Sequence, residues 1–270
     1  KSLDELTFSY HIDRRKGLNG NWKIKKCSHC EIETLYPRPS ENELDSYYDA
    51  YYNEDKFTFQ KEKYTHLAWL RKYYHKFTGD VDPRNFIRPS IEDKILDYGC
   101  GGASYIQYFH NMGFNISGAD ISPEVVNQSK KHGLNVVKVH KFNEIPFNSD
   151  FFDIVYLMQV FEHLRDPSTF LKELHRVTKP GGSVFLSVPN ADSFWRKIFK
   201  ENWISGYFAP FHLAHYDEKN IESLITRHGF QVKKCFFKTP ASWFRLNIKA
   251  SLYPEINTLD NFRSWIDSAP

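Results

Sequence analysis

The amino-acid sequence predicts an α/β fold, with a doubly wound, mostly parallel sheet and helices on both faces. Strand-like and helix-like segments alternate from residue 91 to about 240, which is the pattern of a parallel sheet covered on both sides. A glycine-dense turn follows the first of these strands, at the sheet edge where such folds bind ligands. The chain of 270 residues is long enough for one such domain and a smaller appendage.

Six strands and four helices are expected in this domain, which we place at 91–240. The expected strands are 93–98, 115–119, 134–138, 153–158, 182–188 and 231–237. The expected helices are about 103–112, 122–132, 166–177 and 217–228. Ser122-Pro-Glu124 predicts a helix start, because serine caps the first turn, proline fits it and the acid faces the positive end of the helix dipole. Lys179-Pro-Gly-Gly182 predicts a turn between a helix and the fifth strand.

The segments outside the domain are shorter. Ser40-Glu-Asn-Glu43 fits a capping box, and apolar residues follow it at helical spacing. The predicted segments are an irregular one at 1–40, a helical lid and linker at 41–90 with a second helix at 59–77 and the linker at 78–90, and a tail at 241–270 in which 243–249 is a possible last strand. The N-terminal part is therefore expected to be a small knuckle and helical appendage.

The composition excludes some classes of function. The net charge is +3, from 36 basic and 33 acidic residues, which is far from the clustered surplus of a dedicated nucleic-acid-binding protein. No apolar run approaches the ~18 residues of a membrane span, so we expect a soluble, cytoplasmic protein. The four scattered cysteines are too few for a disulfide framework and suit a reducing compartment.

The glycine-rich turn, Gly99-Cys-Gly101, predicts a nucleotide-type cofactor site. Its glycines let the backbone approach a ligand, and Asp120 ends the next strand, where a carboxylate accepts both hydroxyls of a ribose. A nicotinamide dinucleotide fits less well, because Ser104 replaces the third glycine of its fingerprint and Asp97 would repel a pyrophosphate. Asp97 instead suits a ligand with an ammonium and a sulfonium, such as S-adenosylmethionine. A structural turn without a ligand is the remaining interpretation.

With these residues the chain resembles the class I S-adenosylmethionine-dependent methyltransferases, which have a Rossmann-like sheet. Asp97-Tyr-Gly-Cys-Gly-Gly-Ala103 is similar to the family's acid-x-Gly-x-Gly-x-Gly motif, with Ala103 in place of the last glycine. Four further motifs follow in the family's order: Asp120, the segment 146–155, the segment 159–167 and Lys179-Pro-Gly-Gly182. The cofactor-binding residues that the resemblance implies are Asp97, Gly99, Cys100, Gly101, Asp120, Ile121, Phe142, Asn143 and Gln159. Relatives often place an acid against the adenine, and here either Asn143 with Phe142, or Lys141, takes that position.

Other segments narrow the resemblance to methyltransferases of small molecules. Ser187-Val-Pro-Asn190 and Pro210-Phe-His-Leu-Ala-His-Tyr216 are similar to segments of ubiquinone-pathway O-methyltransferases and of enzymes from polysaccharide and antibiotic clusters. Cys27-Ser-His-Cys30, followed by Pro37-Arg-Pro39, resembles the second half of a zinc ribbon that precedes the catalytic domain in many of these relatives. Because the first cysteine pair is missing, we expect a degenerate knuckle without metal.

Transfer of a methyl group to a hydroxyl depends on alignment and exclusion of water, and a base also helps. His163 is the leading candidate, because it lies just beyond the fourth strand at the ligand-binding edge. The alternative role for His163 is to cap or orient this loop together with Glu162. His212 and His215, in the loop after the fifth strand, are the other catalytic candidates. The aromatic residues of that loop predict an acceptor pocket for a sugar or a ring, or a loop packed on its own helix.

These features predict a methyltransferase that acts on a hydroxyl of a small molecule, such as a sugar or a cell-surface glycan precursor. The expected ligands are this acceptor and S-adenosylmethionine, without nucleic acid. The stretch 194–200 alternates bulky apolar and basic side chains, as at membrane surfaces, and is consistent with a lipid-linked acceptor. The alternatives are a nicotinamide-dependent oxidoreductase and a cofactor-binding scaffold without activity.

Overall fold

A computed structural model of the chain describes residues 3–12, 14–15, 17–54, 88–141 and 143–259. The strands are β1 (Leu3–Ile12), β2 (Asn19–Cys27), β3 (Glu33–Tyr36), β4 (Lys94–Tyr98), β5 (Asn115–Asp120), β6 (Val136–Lys138), β7 (Phe152–Met158), β8 (Thr178–Ser187) and β9 (Ala214–His215). The helices are α1 (Glu41–Glu54), α2 (Ser104–Asn111), α3 (Pro123–Lys131), α4 (Pro167–Val177), α5 (Phe194–Phe199), α6 (Ile204–Tyr207), α7 (Glu218–Thr226) and α8 (Ala241–Leu252). In these residues, no helix combines the length and the apolar character needed to cross a membrane.

The central sheet has five parallel strands in the order β6-β5-β4-β7-β8. Successive side chains of a strand point to opposite faces, and both faces of this sheet are buried. Leu96 and Val155 belong to the apolar core of one face with α4, whereas Ile95 and Ile154 belong to that of the other face with α2 and α3. The predicted α/β fold is therefore confirmed, with the first five strands and the four helices of the alternation close to their expected positions.

Two predicted strands at the C-terminal end are wrong. Residues 231–237 form no strand, because most of their side chains stay exposed and only Val232 and Phe236 are half-buried. Phe236 still packs against Phe185 of β8, at a ring-centroid distance of 6.0 Å. The possible strand at 243–249 lies inside helix α8.

The predicted turn at Lys179-Pro-Gly-Gly182 lies inside β8 as an irregularity. Thr178 pairs with Phe152 and Ser183 pairs with Ile154, so four residues of β8 face one residue of β7. Gly181 has a φ of +79°, which accommodates the bend. The strand therefore starts earlier than the composition of this turn predicted.

The N-terminal segment is a sheet, and its prediction as irregular is wrong. Strands β1, β2, β3 and β9 form an antiparallel sheet in that order. Strand β9 comes from the loop beyond β8, and it pairs Glu33 with His215 and Thr34 with Ala214. Trp22, Ile24 and Leu35 pack there with the side chains of α1 and of the loop, including Leu44, Trp203, Tyr207 and Leu213. The N-terminal sheet is thus joined to the segment between β8 and α7.

Helix α1 begins with the predicted capping box. The Ser40 amide donates to Glu43 Oε2 over 2.6 Å, and the Glu43 amide donates to Ser40 Oγ over 3.2 Å. Leu44 is buried and Tyr47 and Tyr48 are half-buried, which confirms the apolar face. The second predicted helix, at 59–77, and most of the predicted linker lie outside the described residues.

Candidate active site

A cleft opens at the carboxyl ends of β4, β5 and β7. Strand β4 lies between β5 and β7 in the sheet. Strands β5 and β6 extend the sheet on one side of β4, and β7 and β8 extend it on the other. Ligands of open α/β sheets bind at such a point, where the strand order reverses. The cleft is lined by Tyr48, Tyr98, Gly99, Asp120, Ile121, Val139, Gln159, Val160, His163, Phe208 and Phe211. Of the predicted cofactor residues, Gly99, Asp120, Ile121 and Gln159 line it.

The glycine turn is held against the end of β5 by backbone hydrogen bonds. The Gly99 amide donates to the Ala119 carbonyl over 2.7 Å, and the Gly101 amide donates to Asp120 Oδ2 over 2.8 Å. Gly99 has a φ of +73°, and a Cβ there would lie 2.4 Å from Val160 Cγ2, so only glycine fits. At Gly101 a Cβ would meet nothing within 4 Å. The backbone at Gly101 therefore faces open space next to the carboxylate of Asp120.

Two buried carboxyl groups, Asp97 and Asp120, lie under this turn. Burial, and then the nearby Asp120, raise the pKa of Asp97 to about 7. Asp97 Oδ2 has no hydrogen-bond partner. Burial also raises the pKa of Asp120, although the amides of Ser122 and Gly101 donate to it and oppose the rise. A cationic ligand would relieve this electrostatic cost, so the site fits the positive charges of S-adenosylmethionine.

Gln159 closes the cleft on the β7 side in a strained conformation. Its φ is +56°, which is uncommon for a residue with a side chain. Its Nε2 donates to Ser187 Oγ over 3.0 Å, and its buried Oε1 has no partner. An acceptor fixed in this way can receive a hydrogen bond from a ligand amino group.

The other predicted cofactor residues do not reach the cleft surface. Asp97 and Cys100 are buried behind the turn, and Gly101 lies beside it without lining the cleft. Asn143 is half-buried and does not line the cleft either. Phe142 lies outside the described residues. The adenine contact was expected just after the third strand of the parallel sheet, and there the apolar Val139 lines the cleft. No sequence motif predicted this residue.

His163 lies in a short 3₁₀ turn, Phe161–His163, directly after β7, and it lines the cleft. Its Nδ1 lies 3.0 Å from the Phe211 carbonyl oxygen and 2.9 Å from Tyr48 Oη. Because a carbonyl only accepts, we place the proton on Nδ1, and Nε2 then keeps its lone pair. Burial lowers the pKa of His163 to about 4, so the ring is neutral at pH 7. A neutral imidazole of this kind can act as a base.

The other two predicted catalytic histidines lie behind His163. His212 Nδ1 lies 2.7 Å from the Gly206 carbonyl oxygen, and burial lowers its pKa well below the usual value. His215 belongs to β9, and neither of its ring nitrogens has a partner. Neither histidine lines the cleft. Both side chains are buried away from the cleft surface, because pairing of β9 with β3 places this segment in the interior.

Glu162 lies next to these histidines and is fully buried. Neither carboxylate oxygen has a hydrogen-bond partner, and burial raises the pKa of Glu162 to about 8. His212 Nε2 lies 3.8 Å from Glu162 Oε1. One group of described residues could hold a metal ion. It consists of Glu162, His163 and His212, whose possible ligand atoms all lie within 4.8 Å of one another. Among the described residues, Cys27 and Cys30 form no disulfide bond and belong to no such group of three possible metal ligands.

Sequence reasoning missed Tyr48 as a residue of the cleft. Its hydroxyl contacts His163, and its ring lies edge-on to Phe211 with a centroid distance of 5.2 Å. The helical pattern around residue 48 placed it on an apolar face and predicted a lid. No signal in the sequence identified its neighbours.

The match to a known family defines the class of this protein. Residues 63–234, well over half of the chain, match a family model described as a methyltransferase domain. The chain belongs to this methyltransferase family. The membership confirms the class predicted from the motifs and S-adenosylmethionine as the cofactor. Asp97, Asp120 and Gln159 are the residues here whose geometry suits it.

Individual relatives are more distant. The chain is 30% identical to a ubiquinone biosynthesis O-methyltransferase of Pseudomonas aeruginosa over 143 residues, which are 48% of this chain and 60% of that protein. It is 32% identical to the Colwellia psychrerythraea protein of the same name over 103 residues, 36% of this chain and 42% of that one. The match thus spans less than two thirds of these relatives. A solved structure named as the [4+2]-cyclase SpnF has a TM-score of 0.54 at 16% identity, covering 83% of this chain and 88% of that one, and shows a shared fold.

Proposed function

We propose that the protein transfers a methyl group from S-adenosylmethionine to a hydroxyl group of a small molecule, with His163 as the base. The observation that carries this proposal is the position of His163. It lies in the same cleft as Asp120 and Gln159, and the Phe211 carbonyl fixes its Nδ1. A base must lie within reach of the acceptor and be neutral at the working pH. The lowered pKa of His163 supplies the second condition.

The residues of the chain have separate roles in this reaction. When bound, the cofactor supplies a methyl group on a positively charged sulfur. Asp97 and Asp120 favour that positive charge, and Gln159 Oε1 accepts from an amino group. The aromatic rings of Tyr48, Phe208 and Phe211 exclude water from the acceptor side. His163 Nε2 would take the proton of the hydroxyl as the new oxygen–carbon bond replaces the methyl–sulfur bond, with S-adenosylhomocysteine as the leaving group.

We propose a sugar or a cell-surface glycan precursor as the acceptor. Aromatic walls such as Phe208 and Phe211, whose ring centroids are 4.7 Å apart, suit the apolar face of a sugar or a phenol ring. The names of the curated relatives support an oxygen acceptor. We also propose that the alternation of apolar and basic groups at 194–200 favours a lipid-linked form. Phe194 and Ile198 are exposed in α5, as such a contact requires.

The acceptor is tested by a turnover screen that measures S-adenosylhomocysteine. Nucleotide sugars, glycan precursors and substituted phenols form three sets, each compared with a reaction without acceptor. We expect turnover with the sugar set. Turnover confined to phenols would refute the sugar while keeping the O-methyltransferase, and a methylated nitrogen or carbon in the product would refute the O-methyltransferase.

His163→Ala tests the base. We expect kcat to fall by about a hundredfold or more, while His110→Ala, an exposed histidine of α2, leaves it unchanged. Because the pKa of His163 is lowered to about 4, the base is unprotonated above that pH, and the wild-type kcat at saturating cofactor should stay level from pH 8 to 5. Unchanged turnover of His163→Ala over this pH range would remove the role.

Chelation separates the base from a metal ligand. A metal on Glu162, His163 and His212 would occupy the lone pair that the base needs. We therefore expect dialysis against a strong chelator to leave kcat unchanged. A loss of activity that zinc or magnesium restores would contradict the proposed base.

The alternatives are tested by calorimetry. We expect binding of S-adenosylmethionine and S-adenosylhomocysteine and none of NAD, because Asp97 disfavours a pyrophosphate. Binding of NAD alone would favour the oxidoreductase. Binding of the cofactor without turnover across all three acceptor sets would favour the scaffold.

A further inference from the structure

Two arginines lie close together where the chain after β3 contacts the chain before α4. Arg38 lies between β3 and α1, and Arg165 lies between the Phe161–His163 turn and α4. Arg38 Nη1 donates to the Arg165 carbonyl oxygen over 3.1 Å. Burial lowers the pKa of Arg38, the nearby Tyr216 raises it, and the nearby Arg165 lowers it again. Both guanidinium groups remain charged at neutral pH.

Among the described residues, no salt bridge joins Arg38 or Arg165 to a carboxylate. Arg165 Nε and Nη2 are buried and have no hydrogen-bond partner. Arg165 lowers the pKa of Glu43, but Glu43 Oε2 already accepts from the Ser40 amide and hydroxyl over 2.6 and 2.7 Å. Buried donors on a cation are rarely left without an acceptor.

A third orphaned donor lies close by. Tyr216 directly follows β9, is 1% exposed, and its hydroxyl has no partner. It is near enough to Arg38 for the two side chains to affect each other's pKa. Burial raises the pKa of Tyr216, so the hydroxyl keeps its proton and can donate. Arg165 and Tyr216, distant in sequence, thus bring unsatisfied donors to the junction where Arg38 also lies.

We propose that Arg38, Arg165 and the Tyr216 hydroxyl form a binding site for an anionic group, a phosphate or a carboxylate. The adjacent Nε and Nη2 of Arg165 match the spacing of two oxygens on such a group. Arg38 adds a second positive charge, and Tyr216 adds a neutral donor. The site goes beyond the proposed methyl transfer and does not depend on it, because none of its donors lines the cleft. Arg165 is two residues beyond His163 in the sequence, so the site lies near the cleft without lining it.

Calorimetric titration with inorganic phosphate and with acetate, at constant ionic strength in chloride, tests this site. We expect saturable binding to the wild-type chain and at least tenfold weaker binding to Arg165→Gln and Arg38→Gln. Arg165→Lys keeps the positive charge but loses the paired N–H donors of the guanidinium group, so it should also bind phosphate and acetate more weakly. Arg227→Gln removes an exposed arginine of the α7 end and should bind as the wild type does.

The possible outcomes decide the proposal. Tighter binding of phosphate assigns the site to phosphate groups, and tighter binding of acetate assigns it to carboxylates. Absence of saturable binding, or an equal loss in Arg227→Gln, overturns the site. Circular dichroism and the thermal midpoint check folding. If Arg165→Gln does not fold, the exposed Arg38→Gln decides, and wild-type affinity in that variant overturns the role of the pair.

Discussion

The two sheets of this protein are built in different ways. In the parallel sheet, β4 and β5 are joined through one helix and pair residue by residue from Lys94 with Asn115 to Tyr98 with Ala119. In the antiparallel sheet, β3 pairs with β9 across most of the chain, Glu33 with His215. The first sheet carries the acids of the cofactor site, and the second brings Tyr48 and Arg38 to its border. The comparison indicates that the end proposed for the cofactor depends on local connections, whereas the end proposed for the acceptor depends on long-range ones.

Removing the ion pair between strand β3 and helix α5 should have the largest effect. Glu33 Oε2 lies 2.6 Å from Arg196 Nη2, and both side chains are nearly buried. Glu33→Ala leaves Arg196 buried without a partner acid, so we expect the free energy of unfolding to fall by about 3 kcal/mol. Urea unfolding followed by tryptophan fluorescence measures this change.

A neighbouring pair provides the control. Lys197 and Asp192 form an ion pair at 2.8 Å, but their side chains are 65% and 70% exposed. Asp192→Asn should cost well under 1 kcal/mol. Equal effects of Glu33→Ala and Asp192→Asn would mean that the junction of the sheets adds little to stability.

Asp120→Asn tests the cofactor end. The change keeps the shape but removes the charge and one acceptor for the amides of Gly101 and Ser122. We expect the affinity for S-adenosylhomocysteine to fall by roughly thirtyfold, about 2 kcal/mol, the size of a hydrogen bond to a charged group. Asp150→Asn, in an exposed turn, should bind as the wild type does. Calorimetric Kd values that agree between the two variants would contradict a role for Asp120.

Glu162→Gln tests the burial of this acid through the pH dependence of the free energy of unfolding. The folded-state pKa of Glu162 is raised to about 8, so the folded chain holds a proton that the unfolded chain releases near pH 4.5. The contribution of Glu162 to stability therefore decreases as pH rises from 4.5 to 8, by at most about 1.4 kcal/mol per pH unit. Glu162→Gln should lose this dependence and gain stability relative to the wild type toward pH 8. Parallel stability curves for both proteins would show that the group is ionised in the fold.

The sequence predicted the position of the glycine turn and its acids better than that of the loop after β8. Gly99 and Asp120 lie at strand ends that hydrophobic patterns locate, and both line the cleft. His212 and His215 were as prominent in the sequence, but their segment pairs with β3 and turns inward. That pairing was not predictable, because residues 1–40 are polar and their strands satisfy their backbone groups only through partners elsewhere in the chain.

The sequence by itself determined the alternation of strands and helices, the glycine turn, the acids beneath it and the membership in the methyltransferase class. These features depend on contacts within one β-α-β unit, where side-chain period and glycine content specify the geometry. Only the tertiary structure decided the contact of Tyr48 with His163, 115 residues away, the burial of Glu162, and the burial of Arg165 Nε and Nη2 without a hydrogen-bond partner among the described residues. These depend on which distant segments pack together, and that packing follows from burial over the whole chain.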